Sequence, residues 1–255
     1  MTQTKQIKSA LDKALLNNDT VFIVPHNSPV PDFDALGAAL GIALICKKNR
    51  KKNYIVIDID LNKFGAEERK VVDYLAKEFN VINSKLASEL ITDKSLMVAV
   101  DVSKEMLLSE DEKKLLPKFN DIFLIDHHKL DERTINTPYT FVNDKLSSTC
   151  EEISRLLCLY GIKVTPEIAN YLFAGIALDT NKLTKNATGD TFSVVTKLLA
   201  KGADLTSVYN MLSSDYETDK RMLRIINNVI FPTHIYAIAA ASVSAIVILL
   251  FLSSK

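Results

Sequence analysis

The 255-residue chain has no tryptophan, three cysteines and seven glycines, no two of them adjacent. Scarce, scattered glycine and the lack of biased runs leave no low-complexity linker, and no internal repeat is present. Cys46, Cys150 and Cys158 are unevenly spaced without a CxxC pair, which excludes a disulfide framework and reads as reduced thiols of a cytosolic body. Charge of one sign is also missing: 31 basic residues face 31 acidic ones. That balance argues against a duplex nucleic-acid footprint. Lys47, Lys48, Arg50, Lys51 and Lys52 form one basic run. It reads as a solvated helix end, with a phosphate or membrane-surface contact as the alternative. Residues 1–19 are polar and amphipathic, so no secretory signal opens the chain. One long apolar run exists, Ile235 to Leu252, near the far end.

Strand and helix signals alternate through the first half. The runs "TVFIVP" (20–25), "NYIVIDID" (53–60), "LMVAVD" (96–101) and "DIFLID" (121–126) predict strands buried on both faces. Between them, "DALGAALGIALICKK" predicts a helix from about Asp34, and Val71, Leu75 and Phe79 recur at helical spacing. This pattern implies an α/β domain with a mainly parallel sheet flanked by helices. From about residue 146 helical patterns dominate: "SSTCEEISRLLCLYG", "TPEIANYLFAGIALDT", "TGDTFSVVTKLLAKG" and "SDYETDKRMLRIINNVI".

Chemistry concentrates where apolar runs end. Asp101 and Asp126 close two predicted strands, and Asp58 and Asp60 a third. In an open α/β sheet the carboxyl ends of the strands line the ligand crevice. His26 follows the first strand, and the loop after it supplies Asp32 and Asp34, two residues apart. Asp179 follows a later apolar run, and His127 and His128 follow Asp126 directly. Each residue alone has a structural reading. Asp34 suits an N-cap for a helix from Ala35, Asp32 a turn, Asp179 an element end and His128 a satisfied core position. Those readings do not explain the joint occurrence. Clustered carboxylates repel unless a cation neutralises them. Carboxylate with imidazole suits Mn²⁺, with Mg²⁺ as the alternative. Two such ions about 3.5–4 Å apart activate water against a phosphate ester.

The ordered set His26, Asp32, "DALG", "VAVD", "LIDHH", "SSTCE" and "AGIALDT" resembles the DHH phosphoesterase superfamily over roughly residues 20–215. It is most similar to the metal domain of bacterial cyclic-di-AMP phosphodiesterases and nanoRNA/pAp phosphatases. Family II inorganic pyrophosphatases share the ligands but usually lack the "SSTCE" segment. The resemblance implies a DHH-type Rossmann-like fold and two Mn ions. His26, Asp32 and Asp101 would bind one, and Asp34, Asp101, His127 and Asp179 the other, with Asp101 bridging. Asp126 would orient a neighbouring ligand, and His128 would face the scissile phosphate. Ser147, Ser148, Thr149 and Asn186 are substrate-binding candidates, although the first three equally suit helix capping.

Two departures from the family pattern stand out. His26 lies six residues before Asp32 instead of four, so two extra residues must bulge out or His26 must leave the site. The short glycine-rich motif ending in histidine, the hallmark of the family's substrate-grasping domain, is absent from this sequence. The domain expectation is a phosphoesterase body over 1–230 and a hydrophobic tail over 231–255. The tail reads as a membrane anchor, as the opening strand "HIYAIAAA" of a truncated domain, or as a core helix. An anchor would hold a cytoplasmic protein at the inner face of the membrane. The expected activity is Mn-dependent hydrolysis of a cyclic dinucleotide or short oligonucleotide. A catalytically weak metal-binding scaffold and an inorganic pyrophosphatase are the alternatives.

Overall fold

The computed structural model describes residues 2–27, 30–58 and 64–213, and the backbone of three later strands. In chain order the elements are α1 (Gln3–Asn17), β1 (Thr20–Pro25), α2 (Phe33–Lys48), β2 (Lys52–Val56), α3 (Ala66–Glu78), β3 (Val81–Ile82), α4 (Ser84–Leu90) and β4 (Ser95–Val100). There follow α5 (Glu110–Lys113), β5 (Asp121–Asp126), β6 (Tyr139–Val142), α6 (Thr149–Leu159), α7 (Pro166–Asp179), α8 (Gly189–Ala200) and α9 (Leu205–Met211).

Six strands pair in parallel in the order β3-β2-β1-β4-β5-β6. The order reverses between β1 and β4, which opens a crevice at their carboxyl ends. Side chains alternate along β1. Val21 and Ile23 join the core under α1, α2, α6 and α7, while Phe22 and Val24 join a second core with Ala87 of α4 and with Val102, Leu108, Leu115 and Phe119 between β4 and β5. Both faces are therefore covered, which is why the strands read as unbroken apolar runs. Strand β6 was not foreseen; "YTFV" is made of good strand formers but is only four residues long, half-buried at the sheet edge.

Helix α2 lies between the sheet and the later helices and is buried around most of its circumference. A Cβ at Gly41 would come within 2.1 Å of Ile153 on α6, so the two helices meet in backbone-close contact. The expected cap for α2 is corrected here. The helix starts at Phe33, and Asp32 rather than Asp34 is its N-cap, accepting from the Asp34 and Ala35 N–H groups. Extended backbone at position 32 frees its carboxylate for those first-turn donors.

Asp58 does not join the crevice. It accepts from the Ser84 N–H at 2.8 Å and hydroxyl at 2.7 Å, and from the Ser109 hydroxyl at 2.9 Å, tying down the start of α4. Asp60 lies outside the described residues.

Residues 1–212 and 213–255 form two units. In the second, β7 (Val229–Ile230), β8 (Tyr236–Ala240) and β9 (Val247–Phe251) pair antiparallel. The apolar run expected as a membrane-spanning helix is thus strand at its described positions, and "HIYAIAAA" contains β8. Among the described residues no helix is long and apolar enough to cross a membrane. The helix expected in "SDYETDKRMLRIINNVI" lies outside the described residues, apart from β7.

Candidate metal centre

Three strand ends deliver the first side chains. His26 continues β1, its N–H donating to the Val100 carbonyl. Asp101 follows β4 with φ 58°, a left-handed conformation sparsely used outside glycine. Its N–H donates to the Ile125 carbonyl of β5, so the backbone stays in the sheet while the side chain leaves the strand direction. Such a conformation at a buried carboxylate is held by its surroundings and is common at functional sites. Asp126 ends β5, and His127 and His128 follow.

The donor atoms converge. One ligand atom each from His26, Asp32 and Asp101 lie within 4.8 Å of one another, as do those from Asp34, His127 and Asp179. Asp101, Asp126, His127 and His128 form a third such group. His127 Nε2 lies 3.5 Å from Asp101, 3.8 Å from Asp34 and 3.3 Å from Asp179, so Asp101 stands between the two halves. His26 Nδ1 lies 3.9 Å from Asp101. His26 therefore stays with the cluster despite the longer spacing; Ser28 and Pro29, within the extra length, lie outside the described residues.

The charges are ill at ease without a cation. Burial pushes the Asp101 carboxyl well up, and Asp34, Asp32 and Asp126 push it further. Burial also raises Asp32, with Asp34 adding to it. Burial and Asp34 push Asp179 up to about 9. Its Oδ2 is buried and accepts no hydrogen bond. An orphaned carboxylate oxygen facing an imidazole and two more carboxylates is what a divalent cation would satisfy. The donor set fits a hard-to-borderline metal.

Asp126 behaves differently. Burial raises it, but the His128 ring and the Ser103 hydroxyl outweigh burial and bring its carboxyl down to about 2. Its Oδ1 accepts from the His127 and His128 N–H groups and lies 2.7 Å from His128 Nδ1. The strand-end carboxylate thereby fixes the loop and the ring. The His128 side chain is 44% exposed, far more than its neighbour.

Asp34 is held from across the molecule. Its two oxygens accept the Thr149 and Cys150 N–H groups, each at 2.7 Å, at the start of α6. Those donors are unpaired within a helix, and the positive end of the helix favours the carboxylate. Close packing permits the approach: a Cβ at Gly175 would lie 2.9 Å from Asp34 Cα and 2.6 Å from Cys150 Sγ.

The substrate candidates in "SSTCE" are buried. Ser148 is the N-cap of α6, Thr149 donates its hydroxyl to Asp101 at 3.1 Å, and the Ser147 hydroxyl donates to Glu151. They serve the carboxylates from behind. Asn186 is exposed on the loop between α7 and α8, with φ 54°, and no contact joins it to the cluster. Sequence reasoning missed Glu151 and Gly175. The first was visible only as the glutamate of an S-x-x-E capping box, the second as one small residue in an apolar helix.

A family model described as "DHH family, N-terminal domain" matches residues 20–176. The chain is 30% identical over 244 residues to the cyclic-di-AMP phosphodiesterase GdpP of Geobacillus thermodenitrificans, covering 93% of this chain and 36% of that protein. It is 25% identical over 221 residues to the bifunctional oligoribonuclease and PAP phosphatase NrnA of Mycoplasma genitalium, covering 84% and 64%. Among solved structures, an exopolyphosphatase-related protein from Bacteroides fragilis shares the fold with a TM-score of 0.70 at 20% identity, over 89% of this chain and 66% of that one. The chain spans well under half the length of its GdpP relative.

Proposed function

The chain belongs to the DHH family, and from that premise we propose that it is a Mn-dependent phosphodiesterase acting on a cyclic dinucleotide of the cyclic-di-AMP type or a short oligonucleotide. The observation that carries the reading is Asp101, shared between the His26–Asp32 group and the group of Asp126, His127 and His128, and 3.5 Å from the His127 ring that also meets Asp34 and Asp179. His26, Asp32 and Asp101 would hold one ion, and Asp34, Asp101, His127 and Asp179 the other. The mixed imidazole and carboxylate set favours Mn²⁺ over Mg²⁺. When bound, two such ions lower the pKa of a shared water and neutralise charge at a phosphate.

The chain's own residues do the rest. Asp126 holds His128 through Nδ1, so Nε2 is the nitrogen turned to the substrate. From that position an Nε2–H donates to a phosphate oxygen and stabilises its developing charge. Asn186 remains the candidate substrate contact, while Ser147, Ser148 and Thr149 position Asp34 and Asp101. In this reading the catalytic body lies within residues 1–230, with residues 1–212 as its compact unit.

The test is hydrolysis by the full chain with Mn²⁺ against cyclic-di-AMP, a linear dinucleotide, pAp and pyrophosphate, with Asp101→Ala as control. Phosphodiester turnover that drops to background in the control is expected. Turnover unchanged in Asp101→Ala would sink the mechanism. Preference for pyrophosphate would favour the pyrophosphatase reading, and two bound Mn²⁺ without turnover the scaffold.

A further inference from the structure

We propose that Glu151 is a positioning residue for the metal centre: it holds the first turn of α6 so that the Thr149 and Cys150 amides clasp Asp34. This rests on the metal reading of the cluster given above.

In a capping box the glutamate three residues after the cap reaches back to the cap's own N–H and usually stays near solvent. Ser148 and Glu151 have that spacing, and Ser148 accepts the Glu151 N–H. The glutamate side chain goes elsewhere. Its Oε2 accepts from the Ser147 N–H at 3.1 Å, the Ser147 hydroxyl, and the Thr191 hydroxyl of α8 at 2.9 Å. Its Oε1 pairs with Arg155 one turn on. Glu151 is 1% exposed. Burying an ion pair gains little stability over an apolar core, so its value here is geometric.

That geometry points at Asp34. Glu151 fixes Ser147 and ties α6 to α8. Ser148, next in sequence, caps the helix. The next two amides, Thr149 and Cys150, take one Asp34 oxygen each, and the Thr149 hydroxyl takes Asp101. Four consecutive residues thus carry the constraint from Glu151 to the carboxylate plane of Asp34. Asp32 accepts instead from the Asp34 and Ala35 N–H groups at the start of α2. Glu151 therefore acts directly on the half made by Asp34, His127 and Asp179, and the other half shares with this segment the single Thr149–Asp101 bond.

The experiment is titration of the metal-free full chain with Mn²⁺ by calorimetry. Asp179→Asn identifies which binding step belongs to the second half. In Glu151→Ala that same step is expected to weaken about tenfold or more, the size typical when a group orienting a metal ligand is removed. The other step stays within twofold. Glu151→Gln, with its carbonyl toward Ser147 and Thr191, keeps those bonds and is expected to restore most of the lost affinity. A merely structural role would move both steps together and show no selective rescue. A folded Glu151→Ala protein with both steps unchanged overturns the proposal. Should that variant not fold, Ser147→Ala combined with Thr191→Val removes the two hydroxyl donors and keeps the glutamate and the Ser147 N–H bond. The same selective weakening, smaller, is then expected, and its absence overturns the proposal. Wild type with no Mn²⁺ step would instead overturn the metal reading itself, and this inference with it.

Discussion

Glu112 and Glu151 are 0% and 1% exposed and stand behind opposite halves of the candidate centre, yet they are held in different ways. Glu112 accepts from the Asn27 amide at 2.9 Å and the Ser109 N–H at 2.8 Å, so it braces the loop that begins at His26. Its donors are neutral. Burial dominates, the Asp58 charge adds to it, and the carboxyl is pushed up to about 7 against those hydrogen bonds. Glu151 has comparable hydrogen bonds and, in addition, Arg155. The comparison teaches that neutral donors alone do not offset the burial of Glu112, whereas Glu151 is met by a cation in direct contact. One half of the centre is braced by a group that holds its proton into the neutral range, the other by an ion pair.

The largest expected effect follows from Glu112. Its ordinary value is 4.5 and its folded value about 7. Above pH 4.5 the unfolded chain gives up this proton while the folded chain keeps it. The folded state then binds more protons, so this group's contribution to stability falls as pH rises and is fully lost above about pH 7. The span is on the order of 3 kcal/mol. In Glu112→Gln the Asn27 amide can turn over and accept, and the slope disappears. Urea midpoints for both proteins from pH 4 to 8 should therefore diverge with pH. Parallel profiles would show that Glu112 ionises normally and would erase the contrast with Glu151.

Next in size is Gly175→Ala, which tests the Glu151 side of the comparison. A methyl there meets Asp34 Cα, Asp34 Oδ1 and Cys150 Sγ, all closer than 3 Å. None is the free end of a flexible chain, so α2 and α7 must part. About 1–3 kcal/mol of stability should be lost, with weaker Mn²⁺ binding at the step that Asp179→Asn identifies. Gly189→Ala meets nothing within 4 Å and is the control. Equal melting temperatures for the two variants would mean the Asp34 clasp tolerates displacement.

What the sequence announced and what it hid divide along the same line. The sheet, its parallel character and the placing of His26, Asp101, Asp126 and His127 at strand ends were legible, because apolar runs and the residues that end them are contiguous. The capping of "SSTCE" was legible for the same reason. The partner of Asp34 was not: Thr149 and Cys150 lie 115 and 116 residues away, and no local pattern marks an amide. Glu151 read as half of a capping box, since its true partner on α8 is 40 residues on. Strand β6 escaped because four residues are too short a run to establish a strand period. Asp32 and Asp34 exchanged roles because either carboxylate can cap a helix, and one residue of backbone decides which does.

That exchange supplies the smallest and cleanest prediction. Asp32 does two jobs, capping α2 and facing the His26 half of the centre. Serine at a cap keeps the first job and abandons the second. Asp32→Ser and Asp32→Ala both remove a carboxylate from a cluster whose members raise one another, so both relieve the same repulsion in the metal-free protein. Their difference isolates the cap: the alanine variant should be less stable by about 1 kcal/mol. Both should lose the Mn²⁺ step that Glu151→Ala spares. Two variants of equal stability would mean the Asp34 and Ala35 amides find other partners. A retained step would take Asp32 out of the ligand set and leave His26 and Asp101 to hold that half alone.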